Sequence, residues 1–574
     1  MRRNLHRRAR EALRHSDYRL ALEAAEERLR CSPADEFALF ARCAALWQLG
    51  RQSEARAVIE TGLSRNEGRA LRAAVLFYAS IGNVQRTIAL VDQGNPADAR
   101  LLVQASRWMA SAGRLSGARE VLRRACSLDP SNQQAQKRLE LIQSRLSVLT
   151  GAWRPPRIKP QPLKSIPGRV LHMLTSSLPA KQDGYTLRSH NVATAQRAAG
   201  IDAHAVTRLG FPDAEGFERT PPHERIDGVP YHRLRATSSL PKRDDERLRL
   251  NLHLADALVR ELRPAVLHPS SDYKNALIAV ELRRRFGLPL VYEVRGFWED
   301  TWLARRRLSD SDSEYYHLWR EMELRCMLDA DRVVTLGQEM KRQIVERGVP
   351  GEKITVVPNA VDTNVFRPIP RDGSLARRLG IGPQTLVVGY VTSIEHYEGI
   401  EYLIEALGQL AAKGRDVHGL IVGGGRQSVR DSLQRLTSEL NLSKRITFAG
   451  RVPHTEVLRY YGLIDIFVVP RKGDRVSRSV VPLKPLEAMA TGRATIVSNI
   501  PALRELVSDG QTGLVFEAEN ATSLTTRIES LLDDAELRSR LGADAREWVR
   551  TNRTWCQNGS AYRDLYAELG SALG

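Results

Sequence analysis

At 574 residues and 42% apolar, the chain is long enough for several packed domains. Its net charge of +19 fits an anionic partner (nucleic acid, membrane surface or phosphorylated substrate) or simply a high-GC genome that favours arginine, and charge alone does not choose among them. Five scattered cysteines without a C-x-x-C pair argue against a disulfide framework or zinc site and fit a reducing cytoplasm, and no apolar run reaches the roughly twenty residues that span a membrane.

The N-terminus, MRRNLHRRAREAL, is basic and lacks the apolar core of a signal peptide. Residues 1–150 have helical periodicity throughout. Similar turns recur at Ser16, Gly50, Gly82 and Gly113, spaced 34, 32 and 31 residues. That period predicts stacked helix–turn–helix units, each burying an apolar face against the next. With small residues at Ala21, Ala55 and Ala118, the region resembles degenerate tetratricopeptide repeats. Such an array either binds a protein partner or extends the structure. Residues 151–167 hold prolines at 155, 156, 160, 162 and 167 and predict a linker. A chain beginning near Ser165 is therefore expected to fold without the repeats.

From Gly168 the pattern alternates strands with helices, which predicts a doubly wound α/β domain over 168–367. Gly184 lies in the loop after its first strand, where glycine permits close approach of backbone to ligand or serves an ordinary turn. His268 ends the strand AVLHPSS, and YEVRGFWED gathers Glu293, Arg295, Trp298, Glu299 and Asp300. A lone histidine is more often structural than catalytic, so His268 stands as a candidate on the acceptor side with Arg295 and Glu293. VPNAVDTNVFRP (357–368) closes this domain, and a second doubly wound domain is predicted over 368–550. In it, HGLIVGGGRQ places Gly423–Gly425 at a strand end, a weak phosphate-loop signal that makes Gly424 a candidate.

The most informative stretch is DIFVVPRKGDRVSRSVVPLKPLEAMATGRATIVSN, residues 465–499. Ile466–Val469 reads as a buried strand, followed by a loop rich in arginine and lysine. A short helix from about Leu486 follows, entered through Pro482 and Pro485, and then a strand over Ala494–Val497. Ligands of open α/β sheets bind at such carboxyl-end loops, and a helix N-terminus flanked by cations suits a phosphate. Arg471, Arg478 and Lys484 are the available cations. Glu487, in the first helical turn, is placed to accept hydroxyl hydrogen bonds.

PLKPLEAMATGRATIVSN followed by ALRELVSDGQTGLVF resembles the donor-binding region of family 4 (group 1) retaining glycosyltransferases of the GT-B fold. The resemblance runs over about residues 168–570. It implies two Rossmann-like domains behind the helical repeats, with residues 551–574 crossing back to the first. It implies that Glu487 holds the nucleotide ribose. It places Ser479, Val480 and Val481 beside the donor, with Ser479 replacing a glutamate that would face the sugar. Arg451 and Val452 would hold the base, and the loop of Gly184 would face donor and acceptor. Two positions depart further: Arg295 stands near a histidine of many relatives, and Glu398 stands where they place a lysine, leaving the diphosphate to Arg471, Arg478 and Lys484. The resulting expectation is a metal-independent glycosyltransferase whose donor is a nucleotide-diphosphate sugar, with no cofactor and no metal. A carbohydrate or lipid-linked acceptor, polysaccharide or glycoconjugate synthesis, and a cytoplasmic place at the inner membrane face complete it. Residues 1–150 would supply a protein partner, the basic surface an anionic membrane contact, and nucleic acid is not expected. The competing readings are a non-catalytic scaffold and a nucleotide-sugar epimerase of the same fold.

Overall fold

Capping side chains and glycine turns divide the first 150 residues into helices. Asp17, Asp35, Asn83, Asp98 and Asn132 each accept the backbone N–H three residues on. They thereby start helices Tyr18–Cys31, Glu36–Gln48, Val84–Gln93, Ala99–Ser111 and Gln133–Leu149. Gly50, Gly82 and Gly113 close the preceding turns with φ of 81°, 82° and 78°, a region that L side chains avoid. Ala21, Ala55 and Ala118 are fully buried. The structure is a computed structural model that describes residues 2–14, 17–65, 68–94, 98–155, 159–218, 220–306 and 313–570. The Ser16 marker and Pro156 fall outside these.

The chain forms two compact units. The helical unit takes in Met1–Arg157 together with Thr237–Leu250 and Trp298–Arg325, so it reaches well beyond residue 150. Within it the Glu314 carboxylate accepts the Ser116 backbone N–H at 2.7 Å, and the Tyr315 N–H donates to the Gly113 carbonyl at 2.8 Å. Arg145 pairs with Asp244 at 3.0 Å, and Arg325 donates to the Thr150 carbonyl at 3.0 Å.

The second unit holds Ile158–Ala236, Asn251–Phe297 and Cys326–Gly574. Residues 159–166, in the stretch expected as linker, carry no helix or strand. Gln161 N–H and Ile166 N–H nevertheless bond the carbonyls of Arg285 and Arg263. In this unit β1 (Arg169–Leu174), β2 (Asp202–Thr207), β3 (His223–Ile226), β4 (Val229–Arg233) and β5 (Val266–Pro269) form a sheet ordered β3-β4-β2-β1-β5. Only β3 runs antiparallel in it. A parallel sheet β6-β7-β8 (Val291–Val294, Arg332–Thr335, Ile354–Val356) continues it through bridges Leu267 to Leu290 and Ser270 to Glu293.

The remaining strands are β9 (Leu386–Val391), β10 (Val417–Val422), β11 (Ile446–Gly450), β12 (Ile466–Val469), β13 (Ala494–Ser498) and β14 (Leu514–Phe516). They make an all-parallel sheet ordered β11-β10-β9-β12-β13-β14. Its β12 and β13 are buried along their whole length, as expected of strands covered on both faces by helices. The last helix, Trp555–Glu568, buries Tyr562, Leu565 and Tyr566 against Val170, Val192, Val266 and Val291 of the N-terminal α/β half. No described helix is long and apolar enough to cross a membrane.

Candidate functional site

The six-stranded sheet reverses its strand order between β9 and β12, and ligands of such sheets bind outside the carboxyl ends of strands at that point. The chain leaving β9 carries Glu398, and the chain leaving β12 carries Arg471. The basic stretch expected as a loop is partly helical. Asp474 caps Arg475–Ser479 by accepting the Ser477 N–H at 2.9 Å. The next helix runs from Lys484 to Ala490, two residues earlier than expected, with Pro485 in its first turn, where a missing N–H costs nothing.

Glu487 is 5% exposed. Its carboxylate accepts the Tyr461 hydroxyl at 2.8 Å and the Lys484 ammonium at 3.0 and 3.2 Å. Burial, and then the Glu487 charge, pushes the Tyr461 phenol well above its usual range, so it remains a donor. Lys484 is half-buried and Arg478 exposed on the preceding helix.

Arg471 corrects an expectation. Its guanidinium is buried and bound bidentately by Glu398, at 2.8 and 3.0 Å, while Tyr390 donates to the same carboxylate. Burial opposes the Arg471 charge, but Glu398 outweighs it and holds the pKa above the usual arginine value. The pair is neutral overall, so Arg471 is not an available cation. Losing one member would leave a buried charge, at a cost of about 3–5 kcal/mol. Ser479 is a second correction. It is 1% exposed and its hydroxyl donates to Gln343 Oε1 at 2.8 Å, rather than standing open toward a sugar.

Around this stretch the second unit gathers several other expected positions. Arg451 is exposed and donates to the Gln182 carbonyl at 3.4 Å, just ahead of Gly184. A Cβ at Gly184 would lie 3.9 Å from Leu483, one at Gly296 3.4 Å from Val480, and one at Gly424 3.3 Å from Arg451. Val452 packs on the core of the six-stranded sheet. Gly423 and Gly425, not Gly424, have the steric requirement: a side chain at Gly423, with φ 147°, would overlap the Thr392 carbonyl, and one at Gly425 the Ile394 carbonyl.

The three acceptor-side candidates lie instead in a buried charged network. His268 is fully buried, so it does not face a cleft. Its Nε2–H donates to Glu293 at 3.0 Å, a carboxylate being able only to accept, and its Nδ1 therefore accepts the Tyr566 hydroxyl at 2.6 Å. Gln196 donates to that tyrosine and accepts from His172 Nε2 at 2.7 Å. Glu293, also fully buried, accepts from Arg188 Nε at 2.8 Å and Arg295 Nε at 3.1 Å. Burial alone would raise Glu293, but Arg295, Arg188 and the His268 bond hold it well below the usual carboxylate range. Arg295 also donates to the Tyr185 carbonyl at 3.2 Å and lies over the Tyr185 ring.

Arg188 and Asn359 were not singled out as site residues, and they organise this region. All five N–H groups of Arg188 have acceptors: Glu293, the carbonyls of Val357 and Pro358, Asn359 Oδ1, and the Tyr562 hydroxyl. The signal was an arginine on the buried stripe Arg188, Val192, Ala195 of helix Gly184–Ala198.

Burial pushes His172 down to about 3 and His232 down to about 4, and lowers His204 and His268. Unfolded, all four titrate near 6.5. Their contribution to stability is therefore complete above about pH 6.5 and is lost as pH falls, on the order of 1.4 kcal/mol per pH unit for the fully buried His172, with His232, His204 and His268 acting in the same direction. The melting temperature should drop by several degrees between pH 7.5 and 5.5, before carboxylates titrate, and His172→Gln should flatten that slope. A constant melting temperature over this range would contradict the neutral, buried assignment.

Residues 374–548 match the family described as Glycosyl transferases group 1, and residues 183–360 match the Glycosyl transferase 4-like domain. Together these cover more than half of the chain. The chain belongs to the group 1 glycosyltransferases. A GDP-mannose-dependent α-(1-6)-phosphatidylinositol monomannoside mannosyltransferase of Mycolicibacterium smegmatis is 28% identical over 41% of this chain and 62% of its own length. A D-inositol 3-phosphate glycosyltransferase of Thermomonospora curvata is 24% identical over 68% of this chain and 92% of its own. The chain spans about three fifths of the length of several curated relatives. Among solved structures, sucrose-phosphate synthase of Thermosynechococcus elongatus has a TM-score of 0.59 at 21% identity, covering 70% of this chain and 99% of that one. HepE of Anabaena, in complex with UDP and glucose, has 0.55 at 17%, with the same coverage. These likenesses carry the GT-B fold.

Proposed function

We propose that this chain transfers a sugar, with retention of anomeric configuration, from a nucleotide-diphosphate donor to a carbohydrate or lipid-linked acceptor. The observation that carries the reading is Glu487. It is a buried carboxylate at a helix start beside the β9–β12 switch point, with Lys484 against it. Glu487 would accept the ribose hydroxyls. Lys484 and Arg478 would stabilise charge on the departing diphosphate. As the donor C1–O bond breaks, the electron pair leaves with the diphosphate. The acceptor hydroxyl bonds C1, and its proton passes to the leaving phosphate. Binding of UDP or UDP-glucose in HepE, and the GDP-mannose and phosphatidylinositol mannoside named for the mycolicibacterial relative, support a nucleotide-sugar donor and a glycolipid or polyol acceptor.

The chemistry needs neither cofactor nor metal in this reading, because cations and backbone N–H groups do the electrostatic work. The arginine-rich residues 1–150 would meet a protein partner or an anionic membrane surface on the cytoplasmic side. A scaffold without activity is the second reading, favoured by one observation: Glu398 neutralises Arg471.

A thermal-shift screen across nucleotide-diphosphate sugars identifies the donor, since a ligand bound only by the native state raises the melting temperature. Hydrolysis or transfer from that donor should then persist in excess EDTA. Binding without any turnover favours the scaffold. Turnover abolished by EDTA and restored by magnesium or manganese defeats the metal-free assignment.

A further inference from the structure

Two consecutive carbonyl oxygens ahead of helix Lys484–Ala490 are each held by a buried side chain. Arg471, fixed on Glu398 through Nε and Nη2, gives its Nη1 to the Val480 carbonyl at 3.1 Å. Asn359, held through Oδ1 by Arg188 at 3.1 Å, gives its Nδ2 to the Val481 carbonyl at 2.7 Å. Arg471, Glu398, Asn359 and Val481 are 8, 2, 5 and 2% exposed, so water does not compete for these bonds. A trans peptide is planar, with its N–H opposed to its C=O. Pinning the Val480 carbonyl on Arg471 therefore fixes the Val481 N–H in the opposite direction. Among the described residues no backbone acceptor meets that N–H.

We propose that the Arg471–Glu398 pair and Asn359 are positioning residues that clamp the backbone at 480–481 and present the Val481 N–H to the diphosphate of the donor. This rests on the nucleotide-sugar reading above. Arg471 then acts through its geometry, its charge being cancelled by Glu398, and Glu398 is part of the clamp rather than a defect in an anion site. The benefit is preorganisation: a donor group aimed before the ligand arrives has no reorganisation to undergo when charge develops.

The test is calorimetry on the full chain with UDP and GDP, and with uridine and guanosine, which lack the phosphates. Glu398→Gln keeps the shape and removes the charge that fixes Arg471. Asn359→Asp keeps an acceptor for Arg188 and sets a carboxylate oxygen against the Val481 carbonyl. Each should weaken binding of the preferred diphosphate roughly tenfold or more, the worth of one charge-assisted hydrogen bond, and leave binding of its nucleoside unchanged. The exchanged pair, Glu398→Arg with Arg471→Glu, should recover thermal stability without recovering diphosphate affinity, because a glutamate cannot donate to the Val480 carbonyl. Equal losses for nucleoside and diphosphate, or full rescue of affinity by the exchange, would overturn the clamp. Wild-type protein that binds neither nucleotide would overturn the parent reading instead.

Discussion

Glu487→Gln is expected to weaken nucleoside-diphosphate binding about ten- to a hundredfold while leaving the fold intact. The carboxylate is held by Tyr461 at 2.8 Å and Lys484 at 3.0 Å, both donors, which leaves lone pairs for hydroxyls of a bound ribose. Hydrogen bonds to a charged acceptor are worth about 1.5–3 kcal/mol, which sets the expected range of affinity. An amide in its place turns one acceptor into a donor, facing Tyr461, Lys484 or the ligand. The fold should survive the change, since glutamine keeps an acceptor for the Tyr461 hydroxyl and the ammonium of Lys484, 29% exposed, can turn to water. Ser479→Ala serves as the contrast. Its hydroxyl is committed to Gln343, so about 1 kcal/mol of stability should go and diphosphate affinity should hold. Isothermal calorimetry on both variants separates the roles, and equal affinity for wild type and Glu487→Gln takes the residue out of the site.

The parts legible in the sequence were those written in local patterns. Apolar runs such as Ile466–Val469 announce fully buried parallel strands, and the Pro485–Glu487 helix start announces itself by composition. Glycines at 50, 82 and 113 mark turns because few other residues adopt that φ. What the pattern does not carry is the identity of a partner distant in sequence. Arg471 and Glu398 lie 73 residues apart, and His268 and Tyr566 298 apart. Read alone, Arg471 is a cation and His268 a strand-end polar group. Each changes meaning only when its neighbour is known, since pairing cancels one charge and a carboxylate fixes the other's tautomer. Arg188 was hidden for the same reason, its five acceptors being spread from Glu293 to Tyr562.

A chain beginning at Ser165 is expected to be recovered aggregated, or to melt roughly ten degrees or more below the full protein, contrary to the separability that the proline-rich stretch suggests. The helical unit is completed by Thr237–Leu250 and Trp298–Arg325, which such a truncation leaves behind. Glu314 would lose the Ser116 N–H and hydroxyl, Asp244 would lose Arg145, and the Tyr315 N–H would lose the Gly113 carbonyl. Polar groups can turn to water, so these losses are individually modest. The aromatic side chains cannot. Trp302, Tyr315 and Trp319 stand in a row, with ring centroids 5.0 and 5.3 Å apart, and a Cβ at Gly113 would come within 2.7 Å of Trp302. Aromatic residues bury about 150–250 Å² each, so uncovering such a row creates a patch of the size that drives association. Glu314→Ala in the full chain is the graded version: it leaves the Ser116 N–H without its acceptor and should cost about 1–3 kcal/mol. Size-exclusion chromatography and thermal melts of both proteins decide the matter. A truncated chain that runs as a monomer and melts with the full-length protein would mean that residues 298–325 hold their fold without the helices before them.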